Sequence, residues 1–342
     1  MRRVRIEDIA EEAGLSKATV DRVVHKRGHV RAETARKVAA AAHRLGYYAA
    51  NLIDQQLAVK LPRVRLGFVL IKEKQEFYQN FKIELEAAAM AREDVRATPL
   101  VRFVSSQSPS DMAEAMLAIG EHTDAIACTA VDHHAVTAAT ETLRQKGKPV
   151  FALLNDFAPG AREHYIGLDN LKAGKIAGWM ISTAAKGPGK VALFMGSNRW
   201  VGHELRETGF RSQFRQSGSE LVLLDSVINL ETRQLTYETT LALLERYPDL
   251  TGICVAGGGM EGAIAALREM REPGEVALVV NEITTVSRAA LSDGYATMVI
   301  STPLSALCRE TIELMVRSVI NRQTQQLGQR FLEPQIYLPP SV

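Results

Sequence analysis

The sequence predicts two architectures in one chain: an all-α helix-turn-helix head, then an α/β body of two lobes, each a doubly wound parallel sheet. Three observations carry this. Residues 1–49 hold three short amphipathic segments punctuated by glycine. From residue 62 onward, β-branched runs alternate with helical stretches, the pattern of a parallel sheet, and the pattern occurs twice. Charge divides the same way: residues 1–62 hold 12 Lys/Arg against 7 Asp/Glu, net +5, and the remainder holds 29 against 32, net −3. A basic head on a mildly acidic body suggests a nucleic-acid-binding module, although five surplus charges also suit a solvated helical surface.

The 342 residues are 46% hydrophobic and 23% charged. At roughly 100 to 200 residues per domain this allows two or three domains, folded throughout. The opening Met-Arg-Arg-Val-Arg lacks the apolar core of a secretory signal, and no stretch is apolar enough to span a membrane. A cytoplasmic protein is expected. Cys128, Cys254 and Cys308 are far apart in apolar runs and read as small buried hydrophobes, not as a disulfide framework or metal cluster.

In the head, Ile6, Ile9, Ala10 and Ala13 fall at i, i+3, i+4 and i+7, the stripe of a short amphipathic helix that Gly14 ends. Leu15 plugs the turn. Ser16 caps a second helix, Lys17 to His25, with Val20, Val23 and Val24 inward. A third helix spans Ala32 to Leu45, with Val38, Ala41, Ala42 and Leu45 inward and Gly46 as its stop. In such a unit the second helix enters the major groove with its N-terminal residues on base edges. Its exposed set is Lys17, Ala18, Asp21 and Arg22. Arg22 can grip guanine through two hydrogen bonds and Lys17 can donate to guanine or phosphate; Ser16, Thr19, His25 and His29 are sized for phosphate or sugar. Tyr47 can pack and reach a phosphate. Plain surface exposure is the alternative for each. Asp21 would be repelled by phosphates and is expected to pair with Lys17 or Arg22.

Asp8-Ile9-Ala10, Ala13-Gly14-Leu15-Ser16, Thr19-Val20, Arg22-Val23-Val24 and Leu45-Gly46-Tyr47 resemble the DNA-binding head of the LacI family, and Val30, Thr34, Val38 and Asn51 continue the match. The family usually has Ser at Asp21 and Pro-Asn at Ala50-Asn51. Residues 50–61 then correspond to its hinge. Asn51 to Ala58 is barely two turns of good helix former, too short to be stable alone. The resemblance implies that it folds on the operator as a dimer and wedges Leu57 into the minor groove; packing of the linker is the other role open to Leu57.

In the body, residues 62–342, the expected strands are Val64 to Leu70, Ala125 to Thr129, Pro149 to Leu154, Lys190 to Met195, Leu221 to Ser226, Gly252 to Ala256 and Val276 to Val280. Doubly wound sheets bind ligands at the carboxyl ends of their strands, so two facing lobes make a cleft. Tyr165-Ile-Gly-Leu-Asp169-Asn170, Gly174, Arg206 and Gly209-Phe210-Arg211 are similar to the periplasmic-binding-protein-like sensor of LacI-type repressors, especially its ribose-binding subgroup. That resemblance implies three crossings between the lobes: an N-lobe of about 62–160 plus 295–322 and a C-lobe of about 161–294 plus 323–342.

Phe77 and Tyr78 follow the first strand, where aromatics can stack on a sugar face or cap the next helix. Asp132 sits where sugar-binding relatives place a carboxylate, and equally where a helix N-cap falls. Asn155 and Asp156 end another strand. The family's arginine before Arg206 is Glu204, its acidic position falls in Gly257-Gly258-Gly259, and its glutamine is Ser301. With Trp200, His203 and Glu282 nearby, Glu204 implies a polyol, an inositol-like ring or an amine-bearing ligand and disfavours a sugar phosphate, unless Glu204 only pairs with Arg206 or Arg211.

Neither a phosphate-binding Gly-x-x-x-x-Gly-Lys motif nor a Gly-x-Ser-x-Gly elbow occurs, and His133-His134 and His203-Glu204 lack an i, i+4 His partner. The expectation is a homodimeric, cofactor-free, non-enzymatic repressor of palindromic operator DNA, released by a small carbohydrate-like effector. A stand-alone solute-binding protein suits the body but not the basic head, and an enzyme on the same fold is the other alternative open.

Overall fold

The computed structural model describes residues 4–27, 30–54, 61–217, 220–321 and 327–342. It forms two units, Met1–Arg63 with Arg92–Arg96 and Val64–Ala91 with Ala97–Val342.

The head contains α1 (Ile6–Ala13), α2 (Lys17–Val24) and α3 (Ala32–Arg44). Their apolar stripes meet in a small core in which Ile9, Val20, Val38, Ala41 and Ala42 are fully buried. Val24 and Leu45, expected inward, are only half-buried at its edge. Gly14 takes a left-handed conformation at φ 66°, so its N–H turns back to the carbonyls of Ala10 and Glu11 and closes α1. Ser16 Oγ accepts from the Thr19 N–H at 3.2 Å and opens α2. Residues 50–54 are helical, and Ala50 and Ile53 bury themselves in the head core. The segment expected as a hinge thus begins as a turn anchored by its own apolar residues. Leu57 and His29 lie outside the described residues.

The body opens with β1 (Arg63–Ile71), α4 (Glu76–Met90), β2 (Arg96–Val104), α5 (Pro109–Gly120), β3 (Ala125–Cys128), α6 (His134–Gln145), β4 (Val150–Leu153) and β5 (His164–Leu168). The chain continues through α7 (Asn170–Ala184), β6 (Lys190–Met195), α8 (Val201–Ser217), β7 (Val222–Leu223), β8 (Val227–Ile228), α9 (Arg233–Arg246), β9 (Leu250–Val255), α10 (Met260–Met270), β10 (Ala277–Asn281) and α11 (Thr285–Ser292). It ends with β11 (Met298–Ser301), α12 (Leu304–Asn321), β12 (Gly328–Leu332) and β13 (Gln335–Tyr337). One sheet runs β12-β5-β4-β3-β1-β2; the other runs β13-β11-β10-β9-β6-β7, with β8 also on β6. The pairs β1–β3, β3–β4, β4–β5, β5–β12, β6–β7, β6–β8, β6–β9, β9–β10 and β10–β11 are parallel, and β11–β13 is antiparallel.

Alternation along the strands explains why each sheet needs helices on both faces. In the second sheet Ala192, Phe194, Ile253, Val255, Leu278, Val280 and Val299 face one buried layer with α10 and α11. Their neighbours Val191, Leu193, Met195, Cys254, Val279, Met298 and Ile300 face the opposite layer with α7 and α8.

The crossings between lobes fall later than expected at all three points. β5 pairs with β4 in the first sheet, and only then does Asp169 cap α7 of the second lobe, accepting from Lys172 N at 3.0 Å. β11 pairs with β10 in the second sheet, and β12 pairs with β5 in the first. Each strand completes its ladder before the chain leaves the lobe, so the crossings sit near 169, 302 and 333 rather than 161, 295 and 323. β5 and β11, like β2 and β12, were not among the expected strands, whereas the four-residue β3 and β4 were.

Candidate functional site: the recognition-helix face and the interlobe cavity

In the head, α2 presents Lys17, Ala18 and Arg22 exposed, flanked by exposed Ser16 and His25 and half-buried Thr19. Ser16 Oγ and Thr19 Oγ1 lie 2.8 Å apart. Asp21 differs from expectation: its carboxylate meets His25 Nδ1 at 3.0 Å and Arg27 Nη1 at 3.7 Å, while Lys17 pairs with Glu7 at 2.5 Å. Arg22 therefore stays clear of the acid beside it. Tyr47 is 8% exposed and packs against the exposed ring of Tyr48 at 4.7 Å, so it is chiefly a core residue. Asn51 is exposed on the helical stretch 50–54, which His43 ties to α3 through Asp54.

In the body, the carboxyl ends of β1, β4, β6, β9 and β10 converge on a cavity of about 150 Å³ lined by residues of both lobes. A cavity of this size admits a single six-membered ring. Phe77, Tyr78 and Trp200 form its apolar wall; Asn155, Asn170, Asn281, Thr129 and Thr302 bring amides and hydroxyls; Lys72, Arg206, Glu231 and Glu282 bring charge.

Helix packing places Arg206. A Cβ on Gly174 would lie 2.0 Å from the Arg206 carbonyl oxygen, and one on Gly209 would lie 2.1 Å from that of Leu171, so α7 and α8 touch backbone to backbone. At that distance Arg206 Nε donates to Asn170 Oδ1 at 2.8 Å and Nη1 to the Ala256 carbonyl at 2.6 Å, fixing its guanidinium at the cavity.

Glu231 lies at the other end. Burial alone pushes its carboxyl up, but the Lys72 ammonium at 2.6 Å, His203 and the Gly258 N–H at 3.1 Å hold it down to about 2. His203 Nδ1 accepts from Gly196 N at 3.2 Å, so the proton of the neutral ring is on Nε2, facing Glu231 Oε1 at 3.6 Å. Burial lowers His203 to about 4 despite that carboxylate. Glu282 accepts from Thr302 N, Thr302 Oγ1 and Ser301 Oγ at 2.9, 2.7 and 3.1 Å, and burial still raises its carboxyl. Lys72, Leu154, Glu231 and Glu282 all line the cavity with positive φ, at 52°, 65°, 53° and 68°. Such strain on side-chain-bearing residues persists only where the surroundings over-determine it, and it gathers at functional sites.

Two buried polar atoms at the cavity lack a protein partner. Asn281 Nδ2 donates to the Val255 carbonyl at 2.6 Å, which leaves Oδ1 unmatched, and Thr129 Oγ1 is unmatched as well. Orphaned buried polar atoms are uncommon in native proteins.

Residues 66–323 match the model of the periplasmic binding protein domain, and residues 5–49 match that of bacterial regulatory proteins of the lacI family. The chain belongs to the LacI family, with a periplasmic-binding-protein domain as its body. This domain pair makes it a ligand-responsive DNA-binding regulator. The fold resembles a solute-binding protein of an ABC transporter from Actinobacillus succinogenes solved with D-allose: TM-score 0.74, 18% identity, 81% of this chain and 98% of that one. A counterpart from Agrobacterium vitis with α-D-tagatopyranose gives 0.74, 17%, 81% and 95%. One from Burkholderia graminis with D-arabinose gives 0.73, 17%, 80% and 95%. No curated protein matches the chain.

In this LacI-family chain the cavity gathers Phe77, Tyr78, Asn155, Trp200, His203, Gly258 and Glu282 of the residues expected from sequence. Four others lie elsewhere. Glu204 is exposed on α8: residues two apart lie on opposite sides of a helix, so the turn that aims His203 and Arg206 inward aims Glu204 outward. Asp132 is exposed and accepts from Ala158 N at 3.2 Å. Asp156 is taken by Arg162 through two 2.7 Å bonds, and Ser301 buttresses Glu282 from outside the lining. Lys72, Arg206 and Glu231 were not expected there. Lys72 opens a polar run, Lys72 to Glu76, that reads as surface, and Glu231 sits in a loop without a motif. Gly257 was the usable signal, because a Cβ there would lie 2.8 Å from Glu231 Oε1. Among the described residues no His/Cys/Asp/Glu cluster could hold a metal, and no helix is long and apolar enough to cross a membrane.

Proposed function

We propose that the chain is a cytoplasmic, homodimeric transcriptional repressor that binds a near-palindromic operator and leaves it when a neutral sugar or polyol occupies the interlobe cavity. The observation that carries the ligand class is the hydrogen-bond demand of the cavity. Asn281 Oδ1 is an unmatched acceptor, and the Glu231 and Glu282 carboxylates line the cavity beside the Lys72 and Arg206 cations, so the ligand must both donate and accept. Hydroxyls do both; an ionised phosphate or carboxylate only accepts and meets two carboxylates. The stacking wall of Phe77 and Trp200 suits the C–H face of a ring. This replaces the argument from Glu204, which is exposed, and reaches the same exclusion of sugar phosphates. The monosaccharides in the structural neighbours are consistent with it, although at 17–18% identity the likeness carries the fold alone.

On the DNA, Arg22 reads base edges, Lys17 and Ser16 meet phosphate, and residues 50–61 act as the hinge with Leu57 as the wedge. Ligand shifts the lobes between two arrangements and alters the spacing of the paired hinges, with a coupling of about 1–3 kcal/mol. The cavity binds and does not turn its ligand over.

The test is thermal unfolding against neutral monosaccharides, polyols, sugar acids and sugar phosphates, followed by gel shift on selected operator DNA. A neutral polyhydroxyl compound at 100 times its Kd should add about 2.7 kcal/mol. It should also weaken operator binding. Stabilisation by sugar acids or phosphates alone would overturn the ligand class, and failure to select any duplex would overturn the DNA reading.

A further inference from the structure

Lys72 and Glu231 come from different lobes. Lys72 follows β1 of the first sheet, and Glu231 lies between β8 and α9 of the second. Their ammonium and carboxylate meet at 2.6 Å with side chains only 15% and 10% exposed. The second lobe holds the carboxylate in advance. Gly258 N–H donates to Glu231 Oε1 at 3.1 Å, the Glu231 N–H donates to Asn229 Oδ1 at 2.9 Å, and Asn229 Nδ2 donates to the Gly258 carbonyl at 2.9 Å. Three glycines leave the space the pair fills. A Cβ on Gly196 would lie 2.5 Å from Glu231 Cγ, one on Gly257 2.8 Å from Glu231 Oε1 and one on Gly258 3.2 Å from Lys72 Nζ. Both ends stand on left-handed backbone, Lys72 at φ 52° and Glu231 at φ 53°, as does Leu230 at φ 50°.

We propose that Lys72 and Glu231 form a clamp that holds the two lobes closed before any ligand arrives, so the effector enters and rearranges a cleft that is already shut. A second bridge at the rim acts with it: Glu76, opening α4 of the first lobe, accepts from Thr285 N and Oγ1, each at 3.1 Å, opening α11 of the second. Burying an ion pair often costs as much in lost hydration as the attraction returns. Here attraction wins at the acid, whose carboxyl is held at about 2 although burial pushes it up.

The test needs no ligand, so it stands or falls apart from the identity of the effector. Of the two tryptophans, Trp200 lines the cavity at 4% exposure and Trp179 is 52% exposed. In a Trp179→Phe background, acrylamide quenching of Trp200 reports opening. Replacing both charges, Lys72→Met with Glu231→Gln, avoids stranding either one. The double variant should raise the quenching constant several-fold with unchanged circular dichroism; an unchanged constant overturns the clamp. If that variant does not fold, amine acetylation of the unaltered protein followed by mass spectrometry decides. Lys72 should react at least tenfold more slowly than exposed Lys74. Equal rates would overturn the clamp.

Discussion

The head and the cavity reach function by opposite routes. In the head the base-reading candidates Lys17, Ala18 and Arg22 lie on one eight-residue helix, point to solvent and contribute little to stability. In the body they come from segments scattered between Lys72 and Thr302 and are mostly buried, so the groups that would touch ligand also hold the lobes. Substitutions on the exposed face of α2 should therefore change binding without changing stability, whereas substitutions in the cavity should change both.

The largest separation should come from Glu231→Ala. It leaves the Lys72 ammonium, 15% exposed, without its carboxylate. Breaking one side of a buried pair costs about 3–5 kcal/mol. Urea unfolding should show that loss, and a loss under 1 kcal/mol would mean that the pair is hydrated. Arg22→Ala is the counterpart in the head. It should weaken operator binding by about 1–3 kcal/mol and relax one base preference. Stability should move by no more than about 0.5 kcal/mol. Unchanged operator affinity would remove α2 from the recognition role.

The same contrast governs pH. His203 is neutral in the fold, lowered to about 4 from 6.5, so the unfolded chain takes the proton first and stability falls as pH drops below 6.5. Glu231, lowered to about 2 from 4.5, adds a second loss as pH falls below 4.5. Each stage has a slope of at most about 1.4 kcal/mol per pH unit. His203→Gln should shrink the upper stage, to which His164, also lowered by burial, contributes, and keep the lower one, as read from urea midpoints just above pH 6.5, near 4 and near 2. An unaltered upper slope would assign it to another group. In the head, Ser16→Ala removes the oxygen that caps α2 and should cost about 1 kcal/mol. That loss should appear in amide exchange of residues 17–24 and leave the rest of the chain unchanged.

These differences also explain what the sequence disclosed. The head was legible almost residue by residue because its signals are local: Gly14 where the backbone must turn left-handed, Ser16 at the cap, and apolar stripes at helical spacing. In the body β1, β3, β4, β6, β9 and β10 were legible as apolar runs, the four-residue β3 and β4 included. β2 was not, since its burial alternates and Pro99 lies within it, and neither were β5, β11 and β12, which sit at the crossings between lobes. The aromatics, Asn155, His203 and Glu282 were found near strand ends. Lys72 and Glu231 were not, because their pairing spans 159 positions and neither residue has a distinctive neighbourhood. Glu204 shows the opposite failure. One residue of misregister on α8 exchanges an inward position for an outward one.

Asp21→Ser carries the smallest expected effect and separates two accounts of the head. The family usually has serine there, and an acid on a helix that enters the major groove faces phosphate. The carboxylate is not bare, however, since His25 Nδ1 stands at 3.0 Å and Arg27 Nη1 at 3.7 Å. Exposed pairs of this kind are worth about 0.2–1 kcal/mol, so folding stability should fall by no more than that. Removing the acid also frees Arg27 for a phosphate and deletes one repulsive charge, so affinity for non-operator duplex should rise about two- to fivefold and its dependence on salt should steepen. Titration of a random duplex at two salt concentrations measures both. If affinity and slope stay where they were, Asp21 is already neutralised by its neighbours and serves to orient His25 and Arg27 on the DNA face.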